Sequence, residues 1–456
     1  MKNIIKKPFI VIAILGISMV FSCKKFVDVG QPKNQLTSAE VFADSTDATA
    51  AILGVYITML DNSLGLSSGG LTLFPGLSAD ELYESSVNTT YNQYYVDDVV
   101  TTNNINNGFW SAGYNYIYSV NACIEGVTQS TGISPAAKVR IISEARFIRG
   151  FVYFSMVNLY GAVPLVTTAS YQVSGVAGRS APGLIYAQIT ADLQYAESNL
   201  GINTGTNDRP DALAASALLA KVYLYEGKYD LAQTESAKVI NSGSFSLEQD
   251  LNNVFLSGSS ETIWQLDLPY VKYTWEGQNF VPTSVKAIPK YVLTAGLYAS
   301  FEPGDQRQAK WIKFNTVSGN NYPYPFKYKN NATAVSATES YVVLRLADQY
   351  LIRAESEANQ NDLTDAANDL NTIRNRAGLP NSTATDKPSL LSAIVNERRW
   401  EFFCEWGNRW FDLKRWNLST VVLSEVKTNW NVNDALYPIP ITQINNNPNL
   451  VQNPGY

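Results

Sequence analysis

Between Pro135 and Tyr160 the apolar side chains repeat with the period of a helix. Ile141, Ala145, Ile148, Val152 and Leu159 are separated by 4, 3, 4 and 7 positions, which stacks them along one face. Phe147, Phe151 and Phe154 form a second apolar stripe on the same segment, so this helix is expected to be buried on more than one side. Gly161 follows as a stop, and Pro164 forbids continuation because it fixes φ and has no amide hydrogen.

Other segments carry the same signature. Helices are expected over 47–61 and 108–128, and helical pairs recur at 212–226 with 229–242 and at 341–359 with 363–377. The junction Gly227, Lys228, Tyr229 with Ala232 looks like the turn of a tetratricopeptide repeat. There the glycine allows a tight reversal, the tyrosine packs in the crevice, and the alanine lets two helices approach closely. In the second pair Asn361, Asp362 and Leu363 with Ala366 stand at the corresponding places, although any alanine-rich helical hairpin imitates such a match. A last long helix is expected from Lys387 to Trp406.

The remainder reads differently. Gly65 to Gly76 holds four glycines and a proline and is expected to be loop. Asp80 to Asn107 is poor in helix formers, and about 251–340 carries six prolines among many aromatics. A non-helical insertion of that length in a helical protein is usually a functional excursion. The alternating Pro438 and Pro440 cannot be helical, so the chain from about 421 to 456 is expected to run as an extended strap.

The N-terminus reads as a secretion signal. Lys2, Lys6 and Lys7 precede an uncharged run of 14 residues from Pro8 to Phe21, too short for the roughly 20 a spanning helix needs. Ser22 then precedes Cys23, as in a lipobox whose cysteine is acylated and becomes the new N-terminus. Acyl chains anchor a protein because each buried CH₂ contributes ~0.8 kcal/mol. Residues 1–22 are therefore read as signal peptide and 23–40 as a tether. Loss of three lysines takes the formal net charge from −6 to −9, which disfavours nucleic acid as a partner.

Chemistry is narrowed further by the absence of histidine, which removes Ser-His-Asp and Cys-His nucleophiles, HExxH zinc sites and imidazole bases. No cofactor or metal is expected. Cys123 and Cys404 sit among apolar residues and read as buried thiols at least as readily as a bridge. Glu397, Glu401 and Glu405 fall at i, i+4 and i+8, but Arg398, Arg399, Arg409, Lys414 and Arg415 are close in sequence. A structural ion-pair cluster is the better reading of that stripe than a carboxylate pair for glycoside hydrolysis, and no catalytic residue is assigned. Trp400, Trp406, Trp410 and Trp416 around it read as core.

Tyrosine is the unusual residue, at 27 against 18 phenylalanines, and two clusters of aromatics fall outside the periodic helices. Tyr91, Tyr94 and Tyr95 bracket Asn92 and Gln93; Tyr270, Tyr273 and Trp275 adjoin Glu276, Gln278 and Asn279. Flat rings beside amides and carboxylates suit sugars, so Tyr91, Tyr94, Tyr95, Tyr273 and Trp275 are the candidate ligand-binding residues.

The ordered motifs resemble the SusD/RagB family of surface lipoproteins along nearly the whole chain. They are the lipobox cysteine, EARFIRGFVYF from Glu144 with LYGAVPLV from Leu159, LRLADQYLIRAE from Leu344, ERRWEF from Glu397, RWFDLKRW from Arg409, and YPIP from Tyr437 with NPNLVQNPGY from Asn447. The resemblance implies a mainly α fold. Right-handed tetratricopeptide-like helix pairs would occupy about 41–250 and 341–420, with a loop-rich ligand-binding insertion at about 251–340, all within one domain from 41 to 456. It implies a lipid-anchored protein of the outer membrane, facing the cell exterior. Its expected partner is a SusC-like TonB-dependent β-barrel and its expected ligand an oligosaccharide, or for some members a peptide. A helical-repeat scaffold without a small ligand is the remaining alternative. Replacing Cys23 by alanine should abolish acyl labelling and shift the protein out of the membrane fraction; undiminished lipid labelling would remove the lipobox.

Overall fold

A computed structural model describes residues 38–60, 63–202, 205–267 and 271–456. The signal peptide, Cys23 and most of the tether lie outside them. The chain is mainly helical, with four two-stranded sheets, among the described residues. Among the described residues no helix is long and apolar enough to cross a membrane.

The Pro135–Tyr160 helix runs between the expected limits. Ser134 caps it by accepting from Ala137 N, Pro135 opens it, and Gly161 at φ 70° ends it. Both apolar stripes are buried. On one side it packs against Asn104–Gln129, on the other against Pro182–Asn199, a helix the sequence reading did not single out. Arg149 joins all three. Its guanidinium donates to both oxygens of Asp192 at 2.7 and 2.6 Å and to Asn121 at 2.7 Å.

From there helices stack in succession: Pro182–Asn199 on Ala212–Tyr225, then Tyr229–Asn241, Leu346–Asn359 and Leu363–Arg376. The two expected turns share one geometry. Gly227 and Asn361 both take the left-handed conformation, at φ 71° and 66°, and Ala232 and Ala366 are fully buried where paired helices meet. Asparagine is among the side chains that enter that region most readily, which is why it replaces glycine here.

Four expectations are corrected. Gly65 to Gly76 is not all loop, because Gly70–Ser78 is a completely buried helix. Its glycines serve packing: a Cβ on Gly70 would sit 2.4 Å from the Gly65 carbonyl and 2.6 Å from the Phe109 ring. Residues 341–345, expected to be helical, form a strand antiparallel to Thr262–Leu266, as suits the β-branched Val342 and Val343. The last long helix stops at Glu401 rather than Trp406. Cys404 and Trp406 then take positive φ of 50° and 48°, an unfavourable geometry for bulky residues. The turn is held by Cys404 N donating to Glu81 at 3.2 Å and the Trp406 indole donating to Val342 O at 2.8 Å. Finally, the strap is not extended throughout: Ser419–Val426 and Ile441–Asn446 are helical, while the Tyr437–Pro440 stretch is not.

The insertion is built rather than irregular. Tyr291–Leu293 pairs with Leu82–Glu84, and Ile312–Val317 forms a hairpin with Asn320–Pro325. Ser318 and Gly319 at its tip both have positive φ, the geometry of a two-residue hairpin turn. Cys123 and Cys404 are buried free thiols. Trp400 and Trp410 are core, as expected, while Trp406 and Trp416 are partly buried.

Two glycines separate packing from propensity. Gly70→Ala should destabilise the protein by about 3 kcal/mol, since the methyl meets backbone that cannot move aside. Gly54→Ala, inside the Ser45–Leu60 helix with nothing within 4 Å of its Cβ position, should stabilise by about 0.5–1 kcal/mol. Denaturant melts of both variants check the pair.

Candidate ligand-binding clefts

The carboxylate stripe is closed to substrate. Glu397, Glu401 and Glu405 do converge, but the residues that neutralise them differ from those near in sequence. Arg307 donates to Glu397 at 2.7 Å and to Glu401 at 3.1 Å; Arg345 pairs with Glu401 at 2.5 Å and Glu405 at 2.9 Å; Arg376 bridges Glu401 and Glu261. Lys327 completes the web on Glu405. Burial acts to raise the Glu401 carboxyl, yet the guanidiniums of Arg376, Arg345 and Arg307 outweigh it and hold it well below the usual range. The expected partners serve elsewhere: Arg399 and Arg409 grip Asp80, and Arg398 and Arg415 grip Asp412.

The aromatic candidates separate into three environments. Tyr94 is 0% exposed, wedged between Phe74 and Tyr437 with ring centroids 4.7 and 5.2 Å away. It is a core residue and leaves the set of ligand contacts. The reason is that Thr89–Tyr95, read as loop, is a short helix capped by Asn88, which turns this ring inward. Tyr91 and Tyr95 stay half-buried on the same helix, with the ammonium groups of Lys290 and Lys427 over their rings at 5.2 and 4.3 Å.

Tyr273 and Trp275 pack edge to face, 6.2 Å apart, on the wall of a cleft of about 630 Å³. Asp267, Glu339 and Tyr341 line it too; none of its lining residues comes from 77–107. Tyr270 lies outside the described residues. Trp275 is pinned by its indole, which donates to Leu60 O at 3.0 Å. Its neighbour Glu276 does not face the ligand side. That carboxylate is buried and accepts from Tyr341 at 2.7 Å and Thr72 at 2.8 Å.

A second cleft, of about 710 Å³, was not legible in the sequence. Tyr83, Tyr298, Phe314, Asn321 and Pro323 line it, brought together from Leu82–Glu84, Ala295–Ser300 and the 312–325 hairpin. Phe314 is 51% exposed and Tyr298 36%, rings left in solvent on ordered elements. Burial raises the Tyr83 phenol, and so do the nearby phenols of Tyr322 and Tyr95. The signal that points here is the hairpin itself: Ser318-Gly319 between alternating residues leaves Phe314 and Pro323 as cross-strand partners.

The Glu276 anchor titrates near neutrality. Burial pushes its carboxyl from 4.5 to about 7, partly offset by the bonds from Tyr341 and Thr72. Between those two values the unfolded chain has lost a proton that the folded one keeps, so stability falls as pH rises through the window, by about 3 kcal/mol. Glu276→Gln keeps an acceptor for both hydroxyls and does not titrate. Urea melts at about pH 5 and about pH 7.5 should show a stability loss in wild type that is smaller by about 2–3 kcal/mol in the variant. Equal losses would show that Glu276 titrates normally.

Comparison with known proteins agrees with this architecture. Residues 270–435 match the family described as SusD family, and residues 25–224 the one described as starch-binding associating with outer membrane. A SusD-like protein, P25, of Formosa agariphila is 26% identical over 98% of this chain and 99% of its own length. A SusD superfamily protein from Bacteroides vulgatus superposes with a TM-score of 0.82 at 23% identity, covering 91% of this chain and all of the other. A laminarin-binding SusD-like protein superposes with a TM-score of 0.75 at 24% identity, over 90% of this chain and 99% of the other. The chain belongs to the SusD/RagB family.

Proposed function

We propose that this protein is a cell-surface lipoprotein, anchored through Cys23, that captures oligosaccharide and passes it to a SusC-like TonB-dependent β-barrel. The observation that carries the ligand class is the Tyr83–Tyr298–Phe314 cleft, where exposed rings stand on paired strands and a capped helix. Exposed aromatics fixed in position suit the apolar C–H faces of a sugar, and Asn321 supplies an amide beside them. A starch-binding family description and a laminarin-binding structural relative support the same class. Tyr273 and Trp275 would contact ligand only from the separate 630 Å³ cleft.

Hydrolysis is not part of the reading, because the carboxylates of the Glu397–Glu405 stripe are buried against guanidinium and ammonium groups. The barrel partner rests on family membership, and isolation from outer membranes in mild detergent should yield the two together at near-equal amounts. Recovery of a free monomer alone would remove the transport step.

The ligand reading is tested by calorimetry with neutral oligosaccharides. Phe314→Ala and Tyr298→Ala should each weaken binding about tenfold or more, the usual effect of truncating a stacked ring. Melting temperatures should hardly move, since neither ring belongs to the core. Wild-type affinity in both variants, with a loss in Trp275→Ala, would move the site to the other cleft.

A further inference from the structure

A third cleft opens between the Asn104–Gln129 helix, the chain after Pro164 and the C-terminal tail. It spans about 800 Å³, open solvent included, and its wall includes Trp110, Tyr114, Ser174, Gln443, Asn446 and Leu450. No Asp, Glu, Lys or Arg lines it. The segments that build it share this property: residues 99–124, 150–178 and 435–456 contain no charged side chain, in a chain that is 16% charged.

The wall is rigid. Trp110 and Tyr114, one helical turn apart, hold their rings 5.1 Å from each other. Tyr160 backs Trp110 edge-on at 5.1 Å, and the Tyr114 hydroxyl donates to Pro164 O at 2.9 Å. The tail is sewn down on both sides, by Ile441 N donating to Thr101 O at 3.0 Å and by the Asn447 amide donating to Ala177 O at 2.8 Å. Against this fixed background several polar groups have no protein partner among the described residues. They are the indole N–H of Trp110, a residue only 3% exposed, together with the Asn446 amide and the Ser174 hydroxyl. These groups are open to the cleft, so an occupant carrying acceptors and donors can pair with them.

Chemistry selects that occupant. An apolar ligand would leave the indole, amide and hydroxyl groups unpaired, and an ionic one would meet no counter-charge. A neutral polyhydroxylated chain satisfies both demands, with C–H faces on the rings and hydroxyls on the polar groups. The geometry points to a second carbohydrate site in this cleft, taking a neutral oligosaccharide and distinct from the Tyr83–Tyr298–Phe314 cleft. It borrows only the ligand class from the reading above.

Hydrogen exchange of the full chain, in a detergent without a sugar headgroup, reads the clefts separately. The probes are neutral hexasaccharides, maltohexaose and laminarihexaose among them. Exchange should slow in 104–115 and 441–450 in wild type and in Phe314→Ala. In Ser174→Trp, whose indole fills the cleft, that protection should vanish and affinity at this site should fall at least tenfold. Should Ser174→Trp melt early, Asn446→Ala, at an exposed side chain, should still weaken binding several-fold. Protection confined to peptides around 83, 298 and 314 overturns the second site and leaves the first standing. Protection of 104–115 by the co-isolated barrel without sugar overturns it in favour of a protein interface. No binding of any probe by wild type overturns both sites.

Discussion

The buried ionic web around Glu401 is the interaction on which the two halves of the molecule depend. Its cations come from the insertion and its border (Arg307, Lys327, Arg345) and from the helical stack (Arg376); its anions come from Glu261 and Asp305 on one side and Glu397, Glu401 and Glu405 on the other. Placing so many charges out of water carries a large desolvation cost. A pair of this kind is therefore weak evidence for stability taken alone. Its value here is specificity: removing one partner leaves a buried charge uncompensated, so the insertion has one acceptable docking position. The strained turn at Cys404 and Trp406 sits inside the web, and Glu405 reaches Arg345 and Lys327 from it.

Most of the helical stack was legible because its signals are local, the Pro182–Asn199 helix being the exception. Period, caps and turns between Pro135 and Arg376 involve residues a few positions apart, and the Gly227 and Asn361 turns could be placed from composition alone. Where the reading failed, a distant contact decided. Gly65 to Gly76 looked like loop because its glycines were counted as breakers, while in the fold Gly70 is the space that Phe109 and the Gly65 carbonyl occupy. Tyr341 to Arg345 matched the helical period and became strand because Thr262–Leu266 offers it a ladder. Glu397, Glu401 and Glu405 were rightly read as charge-paired, but their partners are 23 to 94 positions away, beyond what spacing reveals.

Binding residues were harder to read than core. An aromatic cluster with amides nearby describes Tyr91 to Tyr95 well, yet one ring of the three is buried, because a seven-residue helix turns Tyr94 toward Phe74. The Tyr83–Tyr298–Phe314 cleft contains no sequence cluster at all. Its rings come from three segments more than 15 residues apart, and only strand pairing brings them together. Burial of a given tyrosine is a tertiary property, and composition does not carry it.

The web and the cleft are connected through the base of one hairpin. Trp311, just before Ile312, is fully buried and donates its indole N–H to Leu251 O at 2.9 Å. Lys327, just after the hairpin, belongs to the web and lies over the Trp311 and Phe403 rings at 4.7 and 4.2 Å. Phe326 N donates to Trp311 O at 2.7 Å, closing the base, and the Asn315 amide donates to Ser284 O and Ala287 O, fixing the middle. Phe314 therefore projects from a strand clamped at its root and beside its own position. An exposed ring on a mobile loop would lose much of its binding energy to ordering, whereas a ring held this way has already met that cost in folding. The ionic web thus acts at a distance from any ligand: it makes an exposed phenylalanine a fixed surface rather than a solvent-exposed liability.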